Sequence, residues 1–334
     1  MRNRRHGRRT LTATLLALTL AAGLTACGSG SGDDGATGSA DAGKQYKIGF
    51  IPGIRGDKYY VSLQCGAEAE ARKLGVSLEA QGGTAFDPAS QTPVVQAVSA
   101  TDPDAIVIAP VDSKAMFAPL QVVQQKGAKL VLVDTTLDDT SIAESAIHSN
   151  YFEGGVQGAQ ILSRLMGDKG TALLISLKPG ISTLDQGKAG FEQEIAKHSG
   201  IEYLGAEYAN NDQVKVASIV AATLSAHPDL TGIFLPSGTD AEGVGAALKR
   251  AGKTGEVKVV AYDAYPAEVE QLQRDEVQAL IVQKPYEMGE LGVRMAVDAL
   301  DGKQTEEEIL TDLLVATKDN VDSPEIKPFL YQDC

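Results

Sequence analysis

From Lys47 onward the chain alternates short β-branched runs with stretches of helical periodicity, and it does so in two series. The first series has runs at Ile48 to Ile51, Val76 to Gln81, Ala105 to Ala109 and Leu130 to Asp134. The second has Ala172 to Leu177, Ile201 to Ala206, Gly232 to Leu235, Val257 to Tyr262 and Ala279 to Gln283, trailed by helix-like segments such as Val214 to Leu224. Strands joined through helices lie parallel, because a parallel pair needs a long crossover. Strands that are apolar throughout need cover on both faces of their sheet. The expected class is therefore α/β, with two doubly wound parallel-sheet domains rather than one very wide sheet.

In such sheets ligands bind beyond the carboxyl ends of the strands, so polar residues placed just there are informative. In order, these positions are Gly53 to Tyr60, Pro110 to Lys114, Asp134 to Thr136, His148 to Asn150, Lys178 to Gln186, Ser237 to Asp240, Asp263 and Gln283. Hydroxyl, amide and carboxylate groups mixed with tyrosines suit a polyhydroxylated guest. Carboxylates and amides pair with adjacent hydroxyls, and aromatic faces cover C–H faces. A plainer structural reading stands beside this one. Asp134 and Asp263 serve equally as caps or turn formers after strands, Tyr60 falls on an apolar helix stripe, and Gln283 can be satisfied locally at an interdomain crossing.

The amino end carries Arg2, Arg4, Arg5, Arg8 and Arg9 without an acid, then a mild apolar run from Leu11 to Ala22, the layout of an export signal. That run is shorter than the ~20 residues a spanning helix needs. It stops at Leu24-Thr25-Ala26-Cys27, the pattern cut before an acylated cysteine, so residues 1–26 read as a lipoprotein signal peptide and Cys27 as the lipidation site. A diacylglyceryl group anchors stably where one chain is marginal, which places the protein on the outer face of the cell membrane. Arg8-Arg9-Thr10-Leu11 is only part of a twin-arginine signal and leaves the export route open. Residues 27–45 are mainly Gly, Ser, Asp and Ala and read as a flexible tether. With no strand before them and no helix after, their glycines make no phosphate loop.

Lys plus Arg number 30 against 44 Asp plus Glu, a formal net charge of −14, and loss of an arginine-rich leader makes the balance more acidic still. Such a charge repels nucleic acid. Of three cysteines, acylation takes Cys27, and an oxidising compartment favours pairing Cys65 with Cys334. On the helix beginning near Asp57, the apolar stripe Tyr60, Leu63, Ala67, Ala71, Leu74 turns Cys65 to the outer side with Glu68 and Arg72, within reach of a terminal cysteine.

Together with Ile48-Gly49-Phe50-Ile51, Ala109-Pro110-Val111-Asp112-Ser113, His148-Ser149-Asn150, Gly190-Phe191, Ala226-His227-Pro228-Asp229 and Ile281-Val282-Gln283, the chain resembles the ribose-binding branch of the type I periplasmic binding proteins over nearly its whole mature length. These are substrate-binding subunits of ABC sugar importers. The resemblance implies two lobes joined by a three-segment hinge. It places crossings near Ser149 to Tyr151, Gln283 to Pro285 and Thr311 to Leu313, giving lobes of 46–149 plus 284–311 and 150–283 plus 312–334. It implies that Tyr59 and Tyr60 stack on a sugar, with Asp57 from the same loop, and that Asp134, Asp263 and Gln283 are its polar ligands. Asn150 at the first crossing, Asp185, and Thr239 with Asp240 complete the candidate set.

Two departures put ribose itself in question. Relatives often carry Arg at the positions of Thr135 and Gly187, and Ala109 stands where an Asn is usual. Each lost guanidinium fork would have fixed two hydroxyls, and Arg55, Lys58, Lys178 and Gln186 are candidate replacements. A small sugar or polyol, ABC permease subunits, a lipid-only membrane contact and a monomeric state are the expected partners, with no cofactor, metal or nucleic acid. An enzyme would need a nucleophile with a base. No His-Glu-x-x-His or Gly-x-Ser-x-Gly pattern is present, although paired carboxylates can cleave glycosides without one. A sugar-responsive repressor would need a helix-turn-helix where the leader stands. A sensor that presents a polyol or furanose-like signal to a receptor kinase is the remaining rival.

Overall fold

The structure, a computed structural model, describes residues 45–331 and 334. The leader, Cys27 and nearly all of the tether lie outside the described residues.

Two six-stranded sheets are built in succession. The first holds β1 (Lys47–Ile51), β2 (Ser77–Ala80), β3 (Ala105–Ile108), β4 (Lys129–Val133), β5 (Ser145–Ser149) and, from far along the chain, β11 (Glu308–Thr311). Its order is β11-β5-β4-β3-β1-β2, parallel throughout. The second holds β6 (Gly170–Ser176), β7 (Ile201–Tyr208), β8 (Leu230–Leu235), β9 (Lys258–Tyr262), β10 (Ala279–Val282) and β12 (Leu314–Ala316). Its order is β12-β10-β9-β8-β6-β7, and β12 alone is antiparallel. The two orders correspond strand for strand, and in each the order reverses beside the first strand of the series, where α/β sheets open a crevice.

Helices α1 (Lys58–Leu74), α2 (Pro88–Ser99), α3 (Phe117–Gln125) and α9 (Pro285–Leu300) pack with the first sheet. Helices α4 (Tyr151–Met166), α5 (Ser182–Ile195), α6 (Gln213–Ala226), α7 (Ala241–Ala251) and α8 (Pro266–Gln273) pack with the second. The chain therefore passes between sheets after β5, after β10 and between β11 and β12. Asp57 caps α1 by accepting from Tyr59 N–H at 2.9 Å, and Gly75, in the left-handed conformation at φ 69°, ends it.

One device holds the crossover helices in both lobes. A Cβ on Gly289 of α9 would stand 2.0 Å from the Leu63 carbonyl of α1, and one on Gly66 would stand 1.9 Å from the Tyr286 carbonyl. In the other lobe, Gly155 of α4 meets the Gly187 carbonyl of α5 at 2.0 Å, and Gly190 meets the Phe152 carbonyl at 2.0 Å. Only glycine lets these backbones touch.

The strand runs read from sequence fall on strands with end shifts of one to two residues. Strands β5, β11 and β12 were not among those runs, being short or carrying polar residues such as His148, Glu308 and Thr311. The α1 stripe also needs correction. Leu74 is 39% exposed, whereas Cys65 is buried and bonded to Cys334, with Cα atoms 5.6 Å apart. The face expected to meet solvent is covered by the carboxyl-terminal segment.

Candidate functional site

The carboxyl ends of both sheets converge on one cavity of about 100 Å³, bordered from the first lobe by Asp57, Tyr59, Tyr60 and Asp134 and from the second by Tyr151, Asp263 and Tyr265. The lobes also touch around it. Ser113 N–H donates to the Gly180 carbonyl at 3.1 Å, Thr136 N–H to Ser182 Oγ at 2.8 Å, and Lys178 Nζ to the Phe86 carbonyl at 2.9 Å.

Asp134 and Asp263 are structural counterparts. Each follows the equivalent strand, β4 or β9, and each takes a left-handed backbone, at φ 63° and 76°. Each donates its N–H to an isoleucine carbonyl of the next strand, Ile147 at 2.8 Å or Ile281 at 2.9 Å. Neither side chain caps the helix that follows it in sequence. The left-handed turn, which Asp tolerates better than most residues, points both carboxylates into the cavity.

The carboxylates are held by tyrosines. Tyr59 Oη donates to Asp134 Oδ1 at 2.9 Å and Tyr60 Oη to Oδ2 at 2.7 Å. Asp263 Oδ2 accepts from Gly238 N–H at 3.0 Å, and its Oδ1 accepts from Tyr331 Oη at 2.9 Å and Gln283 Nε2 at 2.7 Å. Gln283 also donates to Tyr151 Oη at 2.6 Å, and its Oε1 accepts from Ser149 Oγ at 3.0 Å and weakly from Tyr59 Oη at 3.4 Å. A polar chain thus runs Asp134, Tyr59, Gln283, Asp263 from one lobe to the other. Across the cavity Tyr265 Oη donates to Asp57 Oδ1 at 2.9 Å, a second bridge between lobes.

Burial pushes Asp134 up to about 7 despite the Tyr60 and Tyr59 hydroxyls, and the Asp263 charge adds to the rise. Burial lifts Asp263 to about 6 against the Gly238, Gln283 and Tyr331 donors. Asp57 is raised by burial too, with Tyr265 opposing. Among the described residues that line the cavity there is no Lys or Arg. Lys178 is engaged with Phe86, and Arg55, Lys58 and Gln186 are not in the wall. Thr135 lines the cavity but spends its hydroxyl on the Pro110 carbonyl at 2.8 Å, and Gly187 lies beside the Tyr151 ring. Tyrosine hydroxyls, rather than guanidinium groups, supply the donors here.

Seven of the ten expected ligand residues line the cavity: Asp57, Tyr59, Tyr60, Asp134, Thr239, Asp263 and Gln283. Three stand elsewhere. Asn150 is exposed and caps α4, accepting from Glu153 N–H at 3.1 Å. Asp185 is exposed and accepts from Gly180 N–H at 2.9 Å, tying the turn before α5. Asp240 is fully buried behind the wall. Its two oxygens lack a partner among the described residues, and burial raises it to about 7. The sequence reading missed Tyr151, Tyr265, Phe86 and Tyr331. A helix's first residue in the case of Tyr151, and a position two residues beyond Asp263 in the case of Tyr265, were the available signals.

The periplasmic binding protein domain matches residues 48–304. The chain belongs to the periplasmic binding protein family. The fold is that of its type I members, two parallel-dominated α/β lobes, and the family is one of solute-binding transport proteins. Among relatives of this periplasmic binding protein, the ribose import binding protein RbsB of Escherichia coli (strain K12) is 27% identical over 286 residues, 85% of this chain and 94% of that one. The D-allose-binding periplasmic protein of the same organism is 26% identical over 269 residues, covering 78% and 86%. Among solved structures, an ABC transporter solute-binding protein from Agrobacterium vitis bound with α-D-tagatopyranose is similar with a TM-score of 0.84 and 35% identity, covering 86% of this chain and all of that one. A carbohydrate transporter solute-binding protein from Agrobacterium radiobacter in complex with D-arabinose gives 0.81 and 26%, covering 86% and 99%.

Proposed function

We propose that this protein is the extracytoplasmic substrate-binding subunit of an ABC importer and that it takes a single neutral monosaccharide between its lobes. The observation that carries the reading is the matched pair Asp134 and Asp263, delivered by equivalent strands of the two sheets into one tyrosine-walled cavity. Two acceptors contributed by different lobes suit a ring bearing several hydroxyls, and Tyr and Phe faces suit its C–H surfaces. The small volume favours one ring over an oligosaccharide. An acidic wall without Lys or Arg disfavours phosphorylated or carboxylated sugars.

The lobes we assign are 46–149 plus 284–311 and 150–283 plus 312–334, closing by rotation about the three crossings. Contacts made to the guest only in the closed arrangement shift the equilibrium toward it, without chemical turnover. Acylation at Cys27 would hold the mature monomer at the membrane beside its permease, and mass spectrometry of the cell-derived protein tests that. The site is tested by titration calorimetry of D-tagatose, D-arabinose, D-allose and D-ribose. Saturable binding of at least one, at unit stoichiometry and with no turnover, is expected; binding of none of these or of related hexoses and pentoses would remove the reading.

A further inference from the structure

The carboxyl-terminal segment is not a passive end. After β12 it is pinned by Asn320, whose Oδ1 accepts from Thr317 N–H at 2.6 Å and whose Nδ2 donates to the Val315 carbonyl at 3.0 Å. Val321 and Ile326 then bury against the core. Tyr331 N–H donates to the Ala264 carbonyl at 3.1 Å, which lays the segment along the loop after β9. From there the Tyr331 hydroxyl reaches Asp263 at 2.9 Å, and its ring stands edge-on to Tyr59 of the first lobe and Tyr265 of the second, with centroids 5.5 and 5.2 Å away. Three residues later Cys334 is bonded to Cys65 in α1 of the first lobe.

Residue 331 is thus fastened to one lobe and residue 334 to the other, and three residues reach at most about 10 Å. The segment runs past the second crossing, where Lys284 Nζ lies 5.4 Å from the Phe329 ring centroid and 3.8 Å from Asp312 of the third crossing. We propose that the Cys65–Cys334 disulfide is a fourth, covalent link across the hinge, and that it makes Tyr331 a positioning residue of the cleft by holding its hydroxyl on Asp263 and its ring behind Tyr59. The link constrains how far the lobes separate along this edge while leaving rotation about it free. Tyr331 sets the orientation of an acceptor that meets the guest without lining the cavity itself. The part of the proposal that concerns affinity rests on the sugar-binding reading; the part that concerns the link does not.

The test compares oxidised protein, the same protein reduced with a phosphine, the C65S/C334S variant and the Y331F variant. Circular dichroism checks that each stays folded, and reduction of already folded protein covers the case in which the double variant does not fold. Without any ligand, hydrogen exchange of the peptide carrying Tyr331 should accelerate at least about tenfold on reduction; unchanged exchange overturns the link. With a sugar that the oxidised protein binds, Kd should rise about tenfold on reduction and about as much in Y331F. Reduction of Y331F should add little more, since both act through Asp263. Equal Kd for oxidised and reduced protein, or effects of reduction and Y331F that multiply in full, overturns the positioning role. If no sugar binds any form, the sugar reading fails and the exchange result alone decides the link.

Discussion

At the residue scale, Asp134 separates binding from folding because its backbone and its side chain make different demands. Asn tolerates φ 63° nearly as well as Asp, so D134N keeps the turn while removing a charged acceptor. Sugar affinity should fall at least about tenfold, the scale of one lost charged hydrogen bond, with no loss of Tm, since burial has raised Asp134 to about 7 and a neutral amide removes the cost of its ionisation. D134A should cost more stability, because it strains the left-handed turn, takes the acceptor from the buried Tyr60 hydroxyl at ~1–3 kcal/mol, and leaves Tyr59 only its long contact to Gln283. Calorimetry and thermal melts on the two variants read these separately; equal affinity in D134N would remove Asp134 from the site. Asp240 offers a second contrast. Its folded value, about 7 against 3.8, is raised, so its contribution to stability is complete below about pH 3.8 and is lost as pH rises through about 7. D240N should therefore stabilise the fold at pH 8 by an amount on the order of a few kcal/mol, read as a higher Tm, and change it little at about pH 3.5, as pH-resolved melts would show. Asp134, Asp263 and Gln283 were legible in the sequence because strand ends are where α/β sheets present ligands. Asn150 and Asp185 obeyed the same positional rule yet serve their own helices. The rule finds the loop but not the direction of the side chain, which the left-handed turn decides at Asp134 and Asp263.

At the element scale, the two glycine contacts between crossover helices set the distance at which each lobe holds its first helix. G289A in α9 and G155A in α4 would each press a methyl group onto a carbonyl 2.0 Å away, and a backbone cannot yield as a side chain end can. Each should destabilise by ~1–3 kcal/mol or more, read as a lower Tm and denaturant midpoint. A control, G302A, adds a methyl group where nothing stands within 4 Å, although its φ of 73° carries a left-handed cost of its own. These elements show how far the sequence carried the fold. Apolar runs such as Ala105 to Ala109 and Leu130 to Asp134 declared themselves because central strands are covered on both faces. Strand β5 reads Ser-Ala-Ile-His-Ser, and the polar residues of its carboxyl-terminal end are satisfied by partners remote in sequence, His148 by Glu308 at 3.0 Å and Ser149 by Gln283. No local pattern could announce it. Cys65 was misplaced for the same reason, since the cover over its face comes from the far end of the chain.

At the scale of the whole molecule, carboxylates from opposite lobes share one poorly solvated cavity, so protonation and lobe separation are coupled. With the lobes together, burial raises Asp134 to about 7 and Asp263 to about 6; the Asp263 charge lifts Asp134 further, and the Asp57 charge lifts both. Separating the lobes readmits water and returns both toward the ordinary carboxylate range. Groups whose values are raised in the contracted form favour that form below their ordinary values and cease to favour it as pH climbs through 6 to 7. Ligand-free protein should accordingly expand between pH 5 and pH 8, measured as an increase in radius of gyration by small-angle X-ray scattering. The D134N/D263N double variant should lose most of that dependence. A guest whose hydroxyls donate to the ionised carboxylates replaces the lost water and reverses the expansion, so binding near pH 6 to 7 should release protons. Calorimetry in buffers of different ionisation enthalpy reads that release directly. A radius independent of pH, with no proton released on binding, would mean that neither carboxylate changes its surroundings when the lobes move and that the guest is held by the tyrosine wall alone.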